Sequence, residues 1–219
     1  MEIIETEAQK KQSTTLYFII CLIIVFIDQL TKLIIHGFTF AGIHFPGIEY
    51  GSQIPVIGTF LQITYIENPG MAFGIHFQGT GKLFLSIFSI IASVLIGWYL
   101  SKIKDAHLMI KIAVTLILAG AVGNLIDRVF YGVIFGYAPL FYGRVIDFIQ
   151  VDIPDIHIGN LNWASWPIFN VADSCVTVGI IILLLFYNKI PSFSQVFAKP
   201  QTTEISQDII NVEEEEKKK

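Results

Sequence analysis

Charge is scarce in this chain. Of 219 residues only 15% are Asp, Glu, Lys or Arg, against 53% hydrophobic, a balance too apolar for an ordinary soluble domain. Cysteine is rarer still: Cys21 and Cys175 are too few for a disulfide scaffold, and both fall in apolar blocks where a thiol behaves as a small hydrophobe. Eight prolines and seventeen glycines follow no period, which excludes a collagen-like chain, and no self-similar unit of repeat-protein length is apparent. The five histidines, His36, His44, His76, His107 and His157, lack the i, i+4 pairing or cysteine partners of a zinc site, so no metal and no cofactor are expected. The net charge of -4 owes much to the run Glu213 to Glu216, followed by Lys217 to Lys219. With that tail set aside acids still outnumber bases, leaving no basic surface for nucleic acid.

What is abundant is long apolar sequence. A bilayer core about 30 Å thick needs roughly 20 apolar residues of helix, and stretches 15–35, 83–100, 108–126 and 168–187 are long enough. The first follows Lys10 and Lys11 as a signal peptide would, but it is long, holds Asp28 and Lys32 and lacks a small-x-small cleavage site, so it reads as a retained helix. Lys10, Lys11, Lys102, Lys104, Lys111 and Lys189 flank the spans on one side, which the positive-inside rule makes cytoplasmic. Residues 37–82 and 128–167, with only Lys82, Arg128 and Arg144 as bases, then lie outside, and both termini lie inside.

The expected architecture is therefore an all-α polytopic membrane protein with four transmembrane helices, a small extracytoplasmic β element and a short surface helix. Residues 1–14 form a cytoplasmic lead, 15–190 the membrane domain, and 191–219 a disordered cytoplasmic tail. Stretch 54–66, with β-branched and aromatic residues around Pro55 and Gly58, predicts a hairpin or curved sheet at the membrane surface. Phe130, Tyr131, Phe135, Tyr137, Phe141, Tyr142, Trp163 and Trp166 suit the headgroup zone.

Ionisable residues inside spans are costly unless paired, so each is a functional candidate. Asp28 and Lys32, four apart, share a helix face, and a structural ion pair is preferred over a chemical role. Asn124 with Asp127, and Asn170 with Asp173, are three apart, placing an amide beside a carboxylate on one face of each helix. Each pair either orients a carboxylate or joins helices that Gly120 and Gly123 let approach closely. All these positions point to the outer side. Asp147, alone in the apolar run Val145 to Ile149, either faces water or enters a polar pocket, whereas Asp152 and Asp155 read as solvated loop acids. Converging carboxylates can share one proton, as aspartyl hydrolysis requires. A serine or cysteine mechanism has little support, since G-x-S-x-G does not occur. A proton-coupled carrier would spread its acids across the membrane and show inverted repeats, which this chain does not.

Five blocks occur in order: Asp28-Gln29-Leu30-Thr31-Lys32, Asn68-Pro69-Gly70-Met71-Ala72-Phe73, Gly123-Asn124-Leu125-Ile126-Asp127-Arg128, Val145-Ile146-Asp147-Phe148 and Phe169-Asn170-Val171-Ala172-Asp173. With these, residues 16–190 resemble lipoprotein signal peptidase (signal peptidase II), a family of bacterial membrane aspartyl proteases. A scaffolding subunit with polar residues acting only as glue would not account for five ordered blocks. The resemblance implies a catalytic dyad of Asp147 and Asp173, with Asp127 in support. It further implies that Asn68, Gly70, Asn124, Arg128, Asn170 and Ala172 bind substrate or support the dyad, while Asp28 and Lys32 support the fold. The implied substrate is a prolipoprotein carrying a diacylglyceryl cysteine, cut just before that cysteine by a monomer in contact with membrane lipid. The implied location is the bacterial cytoplasmic (inner) membrane, with the site near the outer face. Three features depart from the family: the aromatic stretch between Arg128 and Asp147, the extended segment 148–169, and Ala119-Gly120 in place of a double glycine. The first two are read as neutral loop growth in preference to a lid, and the third as a matter of packing.

Overall fold

The computed structural model describes residues 14–72, 75–76, 79–152, 156–158, 161–163 and 167–197. Helix α1 (Thr14–His36) is followed by hairpin β1 (Phe38–Phe40) and β2 (Ile43–Phe45). Strands β3 (Gln53–Ile57) and β4 (Leu61–Asn68) and the short pair β5 (Met71–Ala72) and β6 (Ile75–His76) come next. Helices α2 (Thr80–Lys102) and α3 (Leu108–Ile126) follow. A π-helical turn (Asp127–Tyr131) and α4 (Gly132–Ile134) lead to β7 (Val145–Val151). Strands β8 (Ile156–Ile158) and β9 (Leu161–Trp163), helix α5 (Val171–Leu185), a 3-10 turn (Tyr187–Lys189) and α6 (Phe193–Phe197) complete the chain.

Helix α3 is the hub, packing against α1, α2 and α5. It is apolar all round, the pattern of a helix with neighbours on every side. Small residues make this possible. A Cβ on Gly120 would collide with the Ala172 carbonyl and sit 2.6 Å from Val176 Cγ2, so α5 rests on α3 where Gly120 has no side chain. Away from these contacts, Leu22, Ile23 and Phe26 of α1 and Phe84, Phe88 and Val94 of α2 are exposed, an apolar girdle that only lipid would cover.

Among the described residues three helices, Thr14–His36, Thr80–Lys102 and Leu108–Ile134, are long and apolar enough to cross a membrane. The chain is thus an integral membrane protein by helix length and composition. The third runs beyond the expected end at residue 126, because the π turn absorbs Asp127 to Tyr131 without breaking the helix. The expected fourth span at 168–187 is shorter: regular α-helix covers only Val171–Leu185, 15 residues, about 22 Å at 1.5 Å per residue. It starts late because Asn170 caps it and it ends where Phe186 leaves helical geometry.

The hairpin expected at 54–66 is present as β3–β4, and it is joined by β7 in an antiparallel sheet of order β3-β4-β7. Val145–Val151 is therefore a strand. A register shift between Ile63 and Ile66 brings Ile66 opposite Asp147. Hairpin β1–β2 was not anticipated. Gly37 and Gly47, with φ of +81° and +69°, meet face to face at its base; a Cβ on Gly37 would lie 2.6 Å from the Pro46 carbonyl. In the outer segments, the helical residues described from 128 to 151 continue α3, so no separate surface helix appears there among the described residues.

The aromatics divide. Phe130 is exposed as expected of an interface anchor, whereas Tyr131 is buried and Phe135 stacks on His36 with ring centroids 3.7 Å apart. The side chains of Trp163 and Trp166, and Asp155, lie outside the described residues, as do 1–13 and 198–219. Within the tail expected to be disordered, Phe193–Phe197 is helical and Val196 packs against the bundle core.

Candidate active site

The polar residues of the spans meet at one end of the bundle, beneath the sheet. Lys32, fully buried, is the centre of the deepest group: its Nζ lies 2.8 Å from Asp28 Oδ2 and 2.8 Å from Asp127 Oδ2, and donates to Asn124 Oδ1 at 3.0 Å. The ammonium thus uses its three donors on three acceptors. The i, i+4 pair expected from α1 is present, and Asp127 joins it as a second carboxylate. Gln29 closes the group: its Nε2 has Asp127 Oδ1 at 2.9 Å, Asp28 Oδ2 at 3.1 Å and the Gly123 carbonyl at 3.1 Å as acceptors. Its Oε1 accepts from the Tyr131 hydroxyl at 3.0 Å.

This group holds the start of α5. Asp28 Oδ1 accepts the Ala172 backbone N–H at 2.9 Å, satisfying an orphan donor of the first turn and placing a carboxylate at the positive helix end. Asn170 caps the same turn. Its Oδ1 accepts from Asp173 N at 2.9 Å, and Asp173 Oδ2 accepts from Asn170 N at 3.2 Å, a reciprocal box. The i, i+3 spacing of Asn170 and Asp173 therefore reflects an N-cap and its third helical residue. Asp127 Oδ2 also accepts the Ile146 N–H at 3.3 Å, so the same carboxylate anchors β7.

Asp147 and Asp173 come from different elements and join the same amide pair. Asn170 Nδ2 donates to Asp147 Oδ1 at 2.7 Å, with Asn124 Oδ1 at 3.1 Å and the Ile146 carbonyl at 3.3 Å as further acceptors. Asn124 Nδ2 donates to Asp173 Oδ1 at 2.8 Å. Burial pushes the Asp147 carboxyl up to about 8, with the nearby Asp173 charge adding to the rise and Lys32 and the Asn170 hydrogen bond opposing it. Asp147 is buried and Asp173 half-buried. Each half of the site has one oxygen held by an amide, the orientation needed of carboxylates that act on a third molecule.

Asn68, Gly70 and Arg128 lie in an adjoining cleft with Lys82 and Ser86. Gly70 N–H donates to Asn68 Oδ1 at 3.1 Å, a local turn that fixes this loop. Arg128 Nη1 donates to the Asn124 carbonyl at 3.4 Å, while its Nε is buried with no hydrogen-bond partner among the described residues. Asp152 is exposed and outside the network. Among the described residues no group of three or more His, Cys, Asp or Glu side chains is arranged to hold a metal ion.

Sequence reasoning missed several contributors. Gln29 stands within a block already singled out, but nothing in its spacing marks it as the bridge between α1 and α3. Glu67 accepts from Tyr65 at 2.7 Å and from Arg144 at 2.8 Å, tying β4 to the start of β7. An acid beside Asn68 and a base two residues before Ile146 were the available signals, and only strand register pairs them.

The chain is thus a bundle of apolar helices with a buried carboxylate–amide cluster at one end, and its relatives are membrane enzymes. The chain belongs to the signal peptidase II family: the family model described as Signal peptidase (SPase) II matches residues 20–189. It is 37% identical over 177 residues to a lipoprotein signal peptidase of Chlorobaculum tepidum, covering 80% of this chain and 95% of that protein. A lipoprotein signal peptidase of Syntrophus aciditrophicus is 36% identical over 179 residues, covering 80% and 93%. A solved structure described as a bacterial membrane enzyme by the in meso method at 1.9 Å resolution superposes with a TM-score of 0.59 at 31% identity, covering 81% of this chain and 95% of that one.

Proposed function

We propose that this protein is an intramembrane aspartyl endopeptidase that removes signal peptides from diacylglyceryl-modified prolipoproteins, cutting just before the lipidated cysteine. The observation that carries the reading is the Asn124–Asn170 amide pair, one hydrogen bond from Asp147 on one side and one from Asp173 on the other. At neutral pH Asp147, whose carboxyl is pushed up to about 8, keeps the shared proton, and Asp173 is the base. Water attacks the scissile carbonyl carbon and gives a proton to Asp173. Asp147 donates its hydrogen bond to the carbonyl oxygen, where negative charge grows in the transition state. Collapse of the tetrahedral species breaks the C–N bond, and the proton on Asp173 passes to the leaving amine.

Arg128 Nε, buried and without a hydrogen-bond partner among the described residues, is suited to a carbonyl oxygen of the extended substrate backbone, beside Asn68 and Gly70. Lys32, Asp28 and Asp127 keep α5 and β7 in place and take no part in proton transfer. In this reading α5 is the fourth span, both termini are cytoplasmic, the site lies near the outer face of the inner membrane, and the working unit is a monomer. The acyl chains of the substrate then stay in the bilayer while its scissile bond reaches the dyad.

The test is cleavage of a diacylglyceryl-modified precursor peptide by purified protein. Asp147→Asn and Asp173→Asn should each lose at least about a thousandfold in rate while unfolding at the wild-type temperature. Normal turnover by either variant would remove the dyad. Asp152→Asn should cleave like wild type, and full inhibition by a chelator would overturn the metal-free mechanism.

A further inference from the structure

The end of the bundle opposite the carboxylate site carries a second polar cavity of about 450 Å³. The last turn of α2, the link to α3, the 3-10 turn after α5, and α6 enclose it. Lys102, His107 and Lys189 line it, with Asp105 as the single acid among the described lining residues. The Lys102 and Lys189 side chains make no hydrogen bond or ion pair with another described residue, while the Lys189 backbone N–H donates to the Phe186 carbonyl at 2.8 Å. Lys111 on the same end is engaged differently, donating to the Lys104 carbonyl at 3.3 Å and lying over the Tyr17 ring.

The geometry around these cations is built. His107 Nδ1 accepts the Met109 N–H at 3.2 Å, capping α3, so the neutral ring carries its proton on Nε2 and presents a donor. The ring also stacks on Phe186, with centroids 5.6 Å apart. Gln195 Oε1 accepts from Ser192 N at 2.8 Å, which fixes the start of α6, and Val196 of that helix packs on the bundle core. The floor is apolar, formed by buried Ile103 with Ala106, Pro191 and Val196. One turn before Asn188, Leu184 and Leu185 are bare on the lipid-facing flank of α5.

A cavity with two lysines unpaired among the described residues and a fixed ring donor above an apolar floor, at the end of a helix with bare leucines, fits an amphiphile with an anionic head. We propose that it binds the phosphodiester headgroup of an anionic phospholipid, Lys102 and Lys189 holding the phosphate and the glyceryl part resting on Ile103 and Val196. Among the described lining residues two lysines against one Asp give a net positive charge, which disfavours a zwitterionic lipid whose own ammonium would face the same cations. The lipid would tie α6 to the α2–α3 link, adding to the packing of Val196 on the core.

Native mass spectrometry of the full chain in neutral detergent tests this, and the readout does not involve proteolysis. Added phosphatidylglycerol should remain bound at energies that strip phosphatidylcholine of the same chain length. Lys102→Gln/Lys189→Gln should cut retention of phosphatidylglycerol by about tenfold or more, while either single variant gives a smaller loss. Lys104→Gln removes a cation from the same end without lining the cavity, and should bind as wild type. Equal retention of the two lipids, undiminished binding by the double variant, or an equal loss in Lys104→Gln would overturn the proposal. Inorganic phosphate should not compete at millimolar concentration; if it displaces the lipid, the site takes free anions and the lipid assignment falls.

Discussion

At the scale of single residues, the buried ammonium of Lys32 carries the greatest consequence. It is shared between two carboxylates, each 2.8 Å away, and the cost of desolvating all three groups is offset by charge-assisted hydrogen bonds among them. Lys32→Met should therefore destabilise by about 3–5 kcal/mol, read as a lowered unfolding temperature in detergent, because Asp28 and Asp127 would be left buried without a cation. An unchanged temperature would mean that water or protonation replaces the lysine. Asp147 makes a separate prediction. Below about 8 its carboxyl is protonated, so the dyad holds its shared proton; above that value Asp147 loses it and cleavage should fall as pH rises. The stability sign agrees. A carboxyl whose value is raised by folding contributes fully below the unfolded range near 4 and loses that contribution as pH climbs through about 8. A cleavage profile flat to pH 10 would show that Asp147 is not the proton carrier.

At the scale of elements, the start of α5 does two jobs with the same atoms. Asn170 caps the helix through Oδ1 and orients Asp147 through Nδ2. Asn170→Ala should thus lose about 0.5–2 kcal/mol of stability together with most of the cleavage rate. Asp173→Asn retains a side-chain oxygen to accept the Asn170 N–H and should lose only the rate; a comparable fall in stability would mean that the cap depends on the charge. The α3–α5 contact is equally strict. Gly120→Val would drive a branched side chain into the Ala172 carbonyl and Val176, pushing α5 and with it Asp173 out of position. Wild-type melting and turnover in that variant would show that α5 is free to shift. At the β1–β2 tip, Phe40 is 74% exposed directly after a spanning helix, an arrangement expected to enter the headgroup zone. Fluorescence of Phe40→Trp should be quenched by brominated lipid, and a fully aqueous emission spectrum would place the hairpin in water.

At the scale of the whole molecule, the bundle separates two environments. One end gathers buried carboxylates and amides under a sheet; the other presents lysines and a cavity. Apolar runs of span length and the segregation of lysines were legible in the sequence because a bilayer imposes both on composition alone. Span ends were less legible. Asp127 and Arg128 look like the beginning of a loop, yet a π turn keeps them in the helix, where Lys32 and the Asn124 carbonyl receive them. Stretch 145–149 alternates too little to declare itself, since a strand buried on both faces has no polar side to mark its period.

The order of the motifs, the apolar helices and the identity of the acids follow from the sequence by itself, since each depends on neighbours within one helical turn or on the solvent a segment requires. Which acids meet was decided only in three dimensions. Asn170 reaches Asp147 across 23 positions and Ala172 reaches Asp28 across 144. Such contacts depend on helices packed through Gly120 and Gly123 and on the register of β4 with β7. The physical reason is that a carboxylate in an apolar setting must find partners wherever the fold supplies them.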